Sequence, residues 1–486
     1  LHMYGEMEKL SKKCIIKIHN EVFCNVIGLM SDDIEYLMEK NSYFVEGYKH
    51  NPLYKLNKWD GKIKYFLHNG HTYTLLLPDI IPMLRQLGYD EIKIKDDREP
   101  ILEFPSFIEE DYFAFANDKD GNPVFMRDYQ VDAVNALLNS NTGLLIAATS
   151  AGKSFIICAL CLQLVSINVP TIIIVPNGSL VVQLKRDFEA FSIDHGEYTG
   201  KVKNLDHDIV ISTWQALKNY PEVMSRFKGV IVDEAHTARG NVIQQLLVKY
   251  GTHLTFRYGV TGTLPPNKAD EMAVKSALGQ VVKTISAKYL QDRGFISTLN
   301  INMYEMKENI DTKAFPDYES ETAYLKGNAE RTLWIAEFVE LLRSQPKDNN
   351  VFVLVSSKKM GKMLNELIEG STYIDGDVKD MNYRDQIYQS FEITDNRVII
   401  ATFGVAAAGV SSNRINHMVL IDVGKSYIRV LQSIGRGLRK NKHKNHVEVH
   451  DIFSSLFFSN LHAIKRVSFY KSVHYPFKLK QVDYNK

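Results

Sequence analysis

The sequence predicts an α/β protein: two tandem parallel-sheet domains preceded by a small α+β domain. Three observations carry this expectation. From about Asn122 onward, nine short β-branched or apolar runs alternate with longer amphipathic stretches, as parallel strands covered by helices do. Nine strands are too many for one compact sheet of modest size, so they divide between two. The first ~110 residues lack that rhythm and are rich in Tyr and Phe, and a chain of 486 residues has room for about three domains.

In chain order, the front domain (1–112) shows strand signals at 14–19 and 72–77, and helix signals at 31–40 and 79–88. The second domain (113–297) has runs at 143–148, 171–175, 208–212, 229–232 and 258–261. The third (298–486) has them at 351–355, 397–401, 417–421 and 446–450. Amphipathic helices are expected at 179–191 and 330–343. A break falls around 294–300, and a polar connecting stretch covers 307–328.

Composition narrows the class. With 45% hydrophobic and 24% charged residues, the chain is neither disordered, collagenous nor coiled-coil. No apolar run approaches the ~18 residues that span a bilayer. The first twelve residues lack the apolar core of a secretory signal, and Leu1-His2-Met3 reads as a cloning remnant. Four cysteines cannot form a disulfide framework, and a reducing cytoplasm is expected. Cys158-x-x-Cys161 lies in an apolar helical stretch and reads as core rather than as a metal site. The net charge of +1 hides an asymmetry: residues 425–486 carry 13 Lys or Arg against 3 acids. A basic end of this kind suits a polyanion partner.

The most informative stretch is Ala147 to Ser154, read Ala-Ala-Thr-Ser-Ala-Gly-Lys-Ser, between an apolar strand and a helical run. That is the context of a phosphate-binding loop. Successive N–H groups at Ser150, Ala151 and Gly152, with the helix N-terminus, suit phosphate oxygens. Lys153 is placed to reach the β and γ phosphates, and Ser154 to ligate Mg2+. Ala147 replaces the first glycine of the general pattern.

A second apolar strand ends in Asp233-Glu234-Ala235-His236. Two adjacent acids at the end of a buried strand are costly without a cation. Asp233 is assigned to the magnesium ion, and Glu234 to the water that attacks the γ-phosphate. Downstream, Gln432-Ser-Ile-Gly-Arg436-Gly-Leu-Arg439 sets two arginines at i and i+3 on one helical face. Guanidinium groups so placed can neutralise a transferring phosphoryl group.

In this order the motifs resemble those of superfamily-two helicases with two RecA-like motor domains. The resemblance covers about residues 122–455. It implies that Arg127 and Gln130 recognise adenine, and that the DEAH sequence at 233–236 is motif II. It makes Thr261 and Thr263, with His236 and Gln432, coupling residues. It puts Thr402 and Gly409 in motif V and makes Arg436 and Arg439 arginine fingers. It also implies strand-backbone contacts from Pro176, Ser179 and Gln183, and from Thr213 and Trp214. In the front domain, Asn57-Lys58-Trp59-Asp60-Gly61-Lys62 is similar to the phage UvsW-type branched-DNA helicases. That similarity implies duplex-DNA contacts from Lys58, Trp59 and Lys62.

The function expected is an ATP- and Mg2+-dependent DNA helicase or translocase remodelling forked or four-way DNA, acting as a monomer and away from membranes. Two alternatives stay open. One is an RNA or RNA–DNA hybrid helicase, because the motor motifs do not select the sugar. The other is an ATP-driven binding switch or restriction-type motor subunit that does not unwind.

Overall fold

The computed structural model describes residues 12–118, 121–148, 150–295, 298–345, 349–378, 381–407, 414–424, 446–472 and 475–484. The chain forms two compact units. One holds residues 1–147 and 152–284; the other holds 148–151 and 285–486.

The first unit begins with strands β1 (Lys12–Ile18), β2 (Phe23–Ile27), β3 (Ser42–Phe44), β4 (Lys62–Lys64), β5 (His71–Tyr73) and β6 (Tyr89–Asp96). Four of them form a sheet in the order β5-β2-β1-β6, and β3 and β4 make a separate hairpin. Alternation buries Cys14, Ile16 and Ile18 of β1 with Cys24 and Val26 of β2. They pack with Leu37 of helix Ser31–Lys40 and with Ile80 and Leu84 of helix Leu77–Gln86. The strand expected over 72–77 is cut short at Tyr73. Leu75, Leu76 and Leu77 are all buried, which an alternating strand cannot achieve, and the backbone turns helical there.

The front sheet's core does not end within the front domain. It takes in Met272 and Ala273 of helix Lys268–Leu278, and the Tyr65 hydroxyl donates to the Ala269 carbonyl at 2.8 Å. That helix belongs to the next layer, built on β7 (Thr142–Ala147), β8 (Thr171–Val175), β9 (Gly196–Tyr198), β10 (Ile209–Thr213), β11 (Gly229–Asp233), β12 (Phe256–Thr261) and β13 (Val281–Ile285). The order is β13-β7-β12-β11-β8-β10-β9, and β7 through β9 run parallel. Five of these strands fall where apolar runs predicted them. β9 and β13 were unmarked in the sequence, because short edge strands need few apolar residues.

Among the described residues, the second unit has seven strands, all parallel: β14 (Thr298–Met306), β15 (Val351–Val355), β16 (Thr372–Ile374), β17 (Val398–Thr402), β18 (His417–Ile421), β19 (His446–Ser454) and β20 (Phe477–Val482). Their order is β16-β17-β15-β18-β19-β14-β20. Within the stretch expected to be a polar connection, Tyr318–Gly327 is a helix. Its Glu321 is buried and accepts the N–H groups of Phe458 and Ser459, so a side chain that reads as linker caps another helix. Part of the basic end is also structural. Arg466 is buried and makes a bidentate pair with Asp451 at 2.8 and 2.9 Å.

Candidate active site

Parallel strands bring their carboxyl ends to one edge of the sheet, where open α/β sheets place their ligands. Read along the first unit's sheet, β7, β12, β11, β8 and β10 end in turn at the phosphate-loop sequence, Thr261, Asp233, Pro176 and Thr213.

After β7, the backbone is left-handed at Ser150 (φ +70°) and at Gly152 (φ +82°), and helix Lys153–Ser166 starts directly after. The Ala151 N–H donates to the Ala148 carbonyl at 3.1 Å, closing a tight turn. Gly152 is fixed by a neighbour as well as by its φ angle. A Cβ there would lie 2.2 Å from Nε2 of Gln130. Gln130 is itself buried, and its Oε1 accepts the Arg127 N–H at 2.9 Å. Gln130 and Gly152, apart in sequence, therefore touch.

Lys153, the first residue of that helix, points its Nζ at Glu234 Oε1, 3.6 Å away. Glu234 follows β11 in a left-handed conformation (φ +51°), and its N–H donates to Asp233 Oδ1 at 2.8 Å. Burial pushes both carboxyls up. At Glu234, Lys153 and His236 more than reverse this and hold it well below the usual carboxylate range. At Asp233 the neighbouring Glu234 charge adds to burial, and its carboxyl stays raised. Lys153 and His236 thus serve Glu234, and Asp233 is left raised.

His236 ties this pair to the next strand. Its Nδ1 lies 3.4 Å from Glu234 Oε2 and 3.0 Å from Thr261 Oγ1. The Thr261 hydroxyl donates to the Thr263 carbonyl at 3.0 Å, so its oxygen accepts from His236 and Nδ1 carries the proton. Glu234, His236, Thr261 and Thr263 form one continuous chain of polar contacts.

Further along the edge, Pro176 and Ser179 are half-buried and Gln183 is exposed. Thr213 is buried, and Trp214 packs half-buried on the core. Two residues within the motif stretches 176–179 and 212–215, neither assigned a strand contact of its own, organise this part. Asn177 caps helix Gly178–Ala190 by accepting the Leu180 N–H at 3.1 Å. Gln215 donates to the Pro176 carbonyl at 3.0 Å, joining the ends of β8 and β10. An Asn before an amphipathic run is a helix-start signal that reveals the first; nothing local reveals the second.

In the second unit, Thr402 ends β17. Gly409, Gln432, Arg436 and Arg439 lie outside the described residues. Among the front-domain candidates, Lys58 is exposed, while the Trp59 indole donates to the Lys62 carbonyl at 2.9 Å and folds onto its own hairpin. The Lys62 ammonium sits 4.9 Å over the Phe44 ring. Cys158 and Cys161 are fully buried, and burial raises both thiols.

Comparison with known proteins agrees with this layout. Residues 124–266 match the family described as type III restriction enzyme, res subunit. Residues 334–441 match the helicase conserved C-terminal domain, and residues 15–95 the DNA helicase UvsW N-terminal domain. The ATP-dependent DNA helicase uvsW of enterobacteria phage T4 is 29% identical over 467 residues, covering 90% of this chain and 91% of that one. The DNA 3'-5' translocase XPB2 of Sulfurisphaera tokodaii is 25% identical over 395 residues, covering 72% and 86%. Among solved structures, the type ISP restriction-modification enzyme LlaBIII bound to DNA matches 85% of this chain and 36% of its own, with a TM-score of 0.57 at 14% identity. T4 UvsW matches 97% of this chain and 100% of its own, with a TM-score of 0.49 at 24% identity.

Two parallel sheets, a lysine-led phosphate loop and a DEAH strand end define a superfamily-two helicase, a class of nucleotide-hydrolysing enzymes. Within that class, the front domain and the full-length similarity to the T4 protein make it one that resembles the phage UvsW type.

Proposed function

We propose that this chain is an ATP-dependent DNA helicase that remodels branched DNA, such as forks and four-way junctions, in recombination, repair or replication. The observation that carries it is the cluster at the ends of β7 and β11. Lys153 pairs with Glu234 at 3.6 Å, while the adjacent Asp233 carboxyl is raised. Charged groups whose titration is pushed apart in one cluster are typical of a functional site.

In this reading Gln130 and Arg127 hold the base, and the loop from Ser150 to Gly152 holds phosphate oxygens. Lys153 leaves Glu234 for the γ-phosphate, which frees Glu234 to orient the attacking water. Magnesium fits the donor set, because the Ser154 hydroxyl and the Asp233 carboxylate are both hard oxygen donors. Bound there, it neutralises phosphate charge. Arg436 and Arg439 are assigned as arginine fingers and Gly409 as a nucleotide-binding residue, on the family resemblance alone. The His236–Thr261–Thr263 chain, with Gln432, passes the state of the γ-phosphate to the strand-binding edge. Pro176, Ser179, Gln183, Thr213, Trp214 and Thr402 grip one strand, and Lys58, Trp59 and Lys62 meet the duplex. We assign domains to 1–112, 113–297 and 298–486, and a monomer acting in the cytoplasm.

The test is a panel of ATP hydrolysis and strand displacement on fork, four-way junction, D-loop and R-loop substrates. Hydrolysis stimulated most by branched DNA, with displacement, supports the proposal. Hydrolysis indifferent to every nucleic acid overturns it.

A further inference from the structure

The four-stranded sheet of the front domain turns one face to the core and the other outward. Cys14, Ile16, Cys24 and Val26 point inward. Their neighbours Lys13, Ile15 and Lys17, and Phe23, Asn25 and Ile27, point the other way. Ile15 and Ile27 are 42% and 49% exposed. The register makes this face a grid. Ile15 lies between Ile27 and Lys93, and Lys17 between Asn25 and Lys95. Beyond β2, Asn25 pairs with His71 and Phe23 with Tyr73. The Phe23 and His71 rings lie 5.0 Å apart at 32°, and Tyr73 is 5.5 Å from Phe23. A cavity of about 720 Å³ opens over β1, floored by Ile15 and Ile27 and rimmed by Lys13, Lys93, Arg85 and Glu91.

We propose that this open face binds an unpaired nucleic-acid strand, with bases on Phe23, His71, Ile15 and Ile27 and phosphates along Lys17, Lys93 and Lys95. The inference rests on the reading of the chain as a nucleic-acid motor. Charge sets the class of ligand. Lys13 and Lys17 are paired, with Glu91 at 2.7 Å and Asp97 at 3.4 Å, and Lys93 and Lys95 enter no ion pair among the described residues. Lysines edging the sheet attract a polyanion. The apolar floor then selects its form. A duplex offers phosphates, sugars and base edges at its surface, and its stacked base faces are hidden from Phe23 and His71. Unpaired bases expose their faces and stack on aromatic side chains. The lysines of β6 and the aromatic residue on β2 are two strand spacings apart, ~10 Å, so backbone and bases occupy separate lanes. This surface is distinct from the β3–β4 hairpin that carries Lys62, and it would hold the strand that the motor has displaced.

The test is photo-crosslinking of the full chain to oligonucleotides carrying 5-iodouracil, in deoxy and ribo forms, followed by peptide mapping. Adducts on Phe23, His71 or Tyr73 are expected, and the form with the higher yield identifies the sugar preferred. The yield should fall about tenfold in F23A. It should fall similarly in K93E/K95E, whose exposed positions leave the core untouched. Adducts confined to motor peptides, or front-domain adducts indifferent to both variants, overturn the proposal. ATP hydrolysis run in parallel separates the two readings: robust stimulation with no front-domain adduct removes the platform alone, and no stimulation by any nucleic acid removes the motor.

Discussion

The two parallel sheets are built alike and spend their charges differently. At the strand ends of the first unit, Lys153 stands 3.6 Å from Glu234, and Asp233 is left with its carboxyl raised by burial. In the second unit, Arg466 grips Asp451 bidentately at 2.8 and 2.9 Å, and the Tyr470 hydroxyl donates to the same carboxylate at 2.9 Å. A buried ion whose donors and acceptors are matched locks a structure; a mismatched one is available for chemistry. One architecture serves both ends, so the site and not the fold carries the function.

Five measurements press on that contrast. Removing Lys153 (K153A) or blunting Glu234 (E234Q) should cut ATP hydrolysis about 10³-fold or more, while circular dichroism shows an intact fold. Comparable loss of folding would mean that this cluster, too, is structural. The converse experiment is R466A. It strands Asp451 in the core and should cost about 3–5 kcal/mol in denaturant unfolding; a smaller loss would make the two clusters equivalent.

Acid should separate the units as well. Burial, with His417 and Lys480 nearby, lowers His450 to about 3. A histidine kept neutral in the fold gains its proton on unfolding. Its contribution is complete above pH ~6.5 and is lost as pH falls, about 2 kcal/mol by pH 5. Melting curves at pH 7 and 5 read that loss. In the first unit, the raised Asp233 carboxyl should instead place the acid limb of kcat/KM for ATP above the ordinary carboxylate value of ~4. A limb at or below that value would deny Asp233 its role. The smallest effect is expected from G152A. Its Cβ meets Gln130 at 2.2 Å in a left-handed backbone. About 1–2 kcal/mol of strain translates to roughly tenfold weaker nucleotide binding, read by titration with a fluorescent ATP analogue.

Legibility in the sequence followed burial. Central strands such as Thr171–Val175, Val351–Val355 and His417–Ile421 are buried on both faces, read as continuous apolar runs, and match their expected bounds. β14 stayed hidden because polar residues face along it: Asn300 and Asn302 bond to Glu448 on β19, so a sheet interior reads like a linker. β16 and β20 are edge strands, and Lys478 and Lys480 on β20 are exposed. The phosphate-loop and DEAH residues stood out because nucleotide chemistry demands particular side chains at fixed spacing.

From the amino acids alone came the class of protein, the alternation of strand and helix, and the identity of the lysine, the two acids and the histidine. Their mutual geometry was decided only by the folded chain: Gln130 against Gly152, His236 bridging Glu234 to Thr261, and Arg466 diverted from a basic surface to a buried carboxylate. Local sequence encodes backbone preference and burial, whereas contacts between residues tens of positions apart depend on strand order, which no short stretch of chain contains.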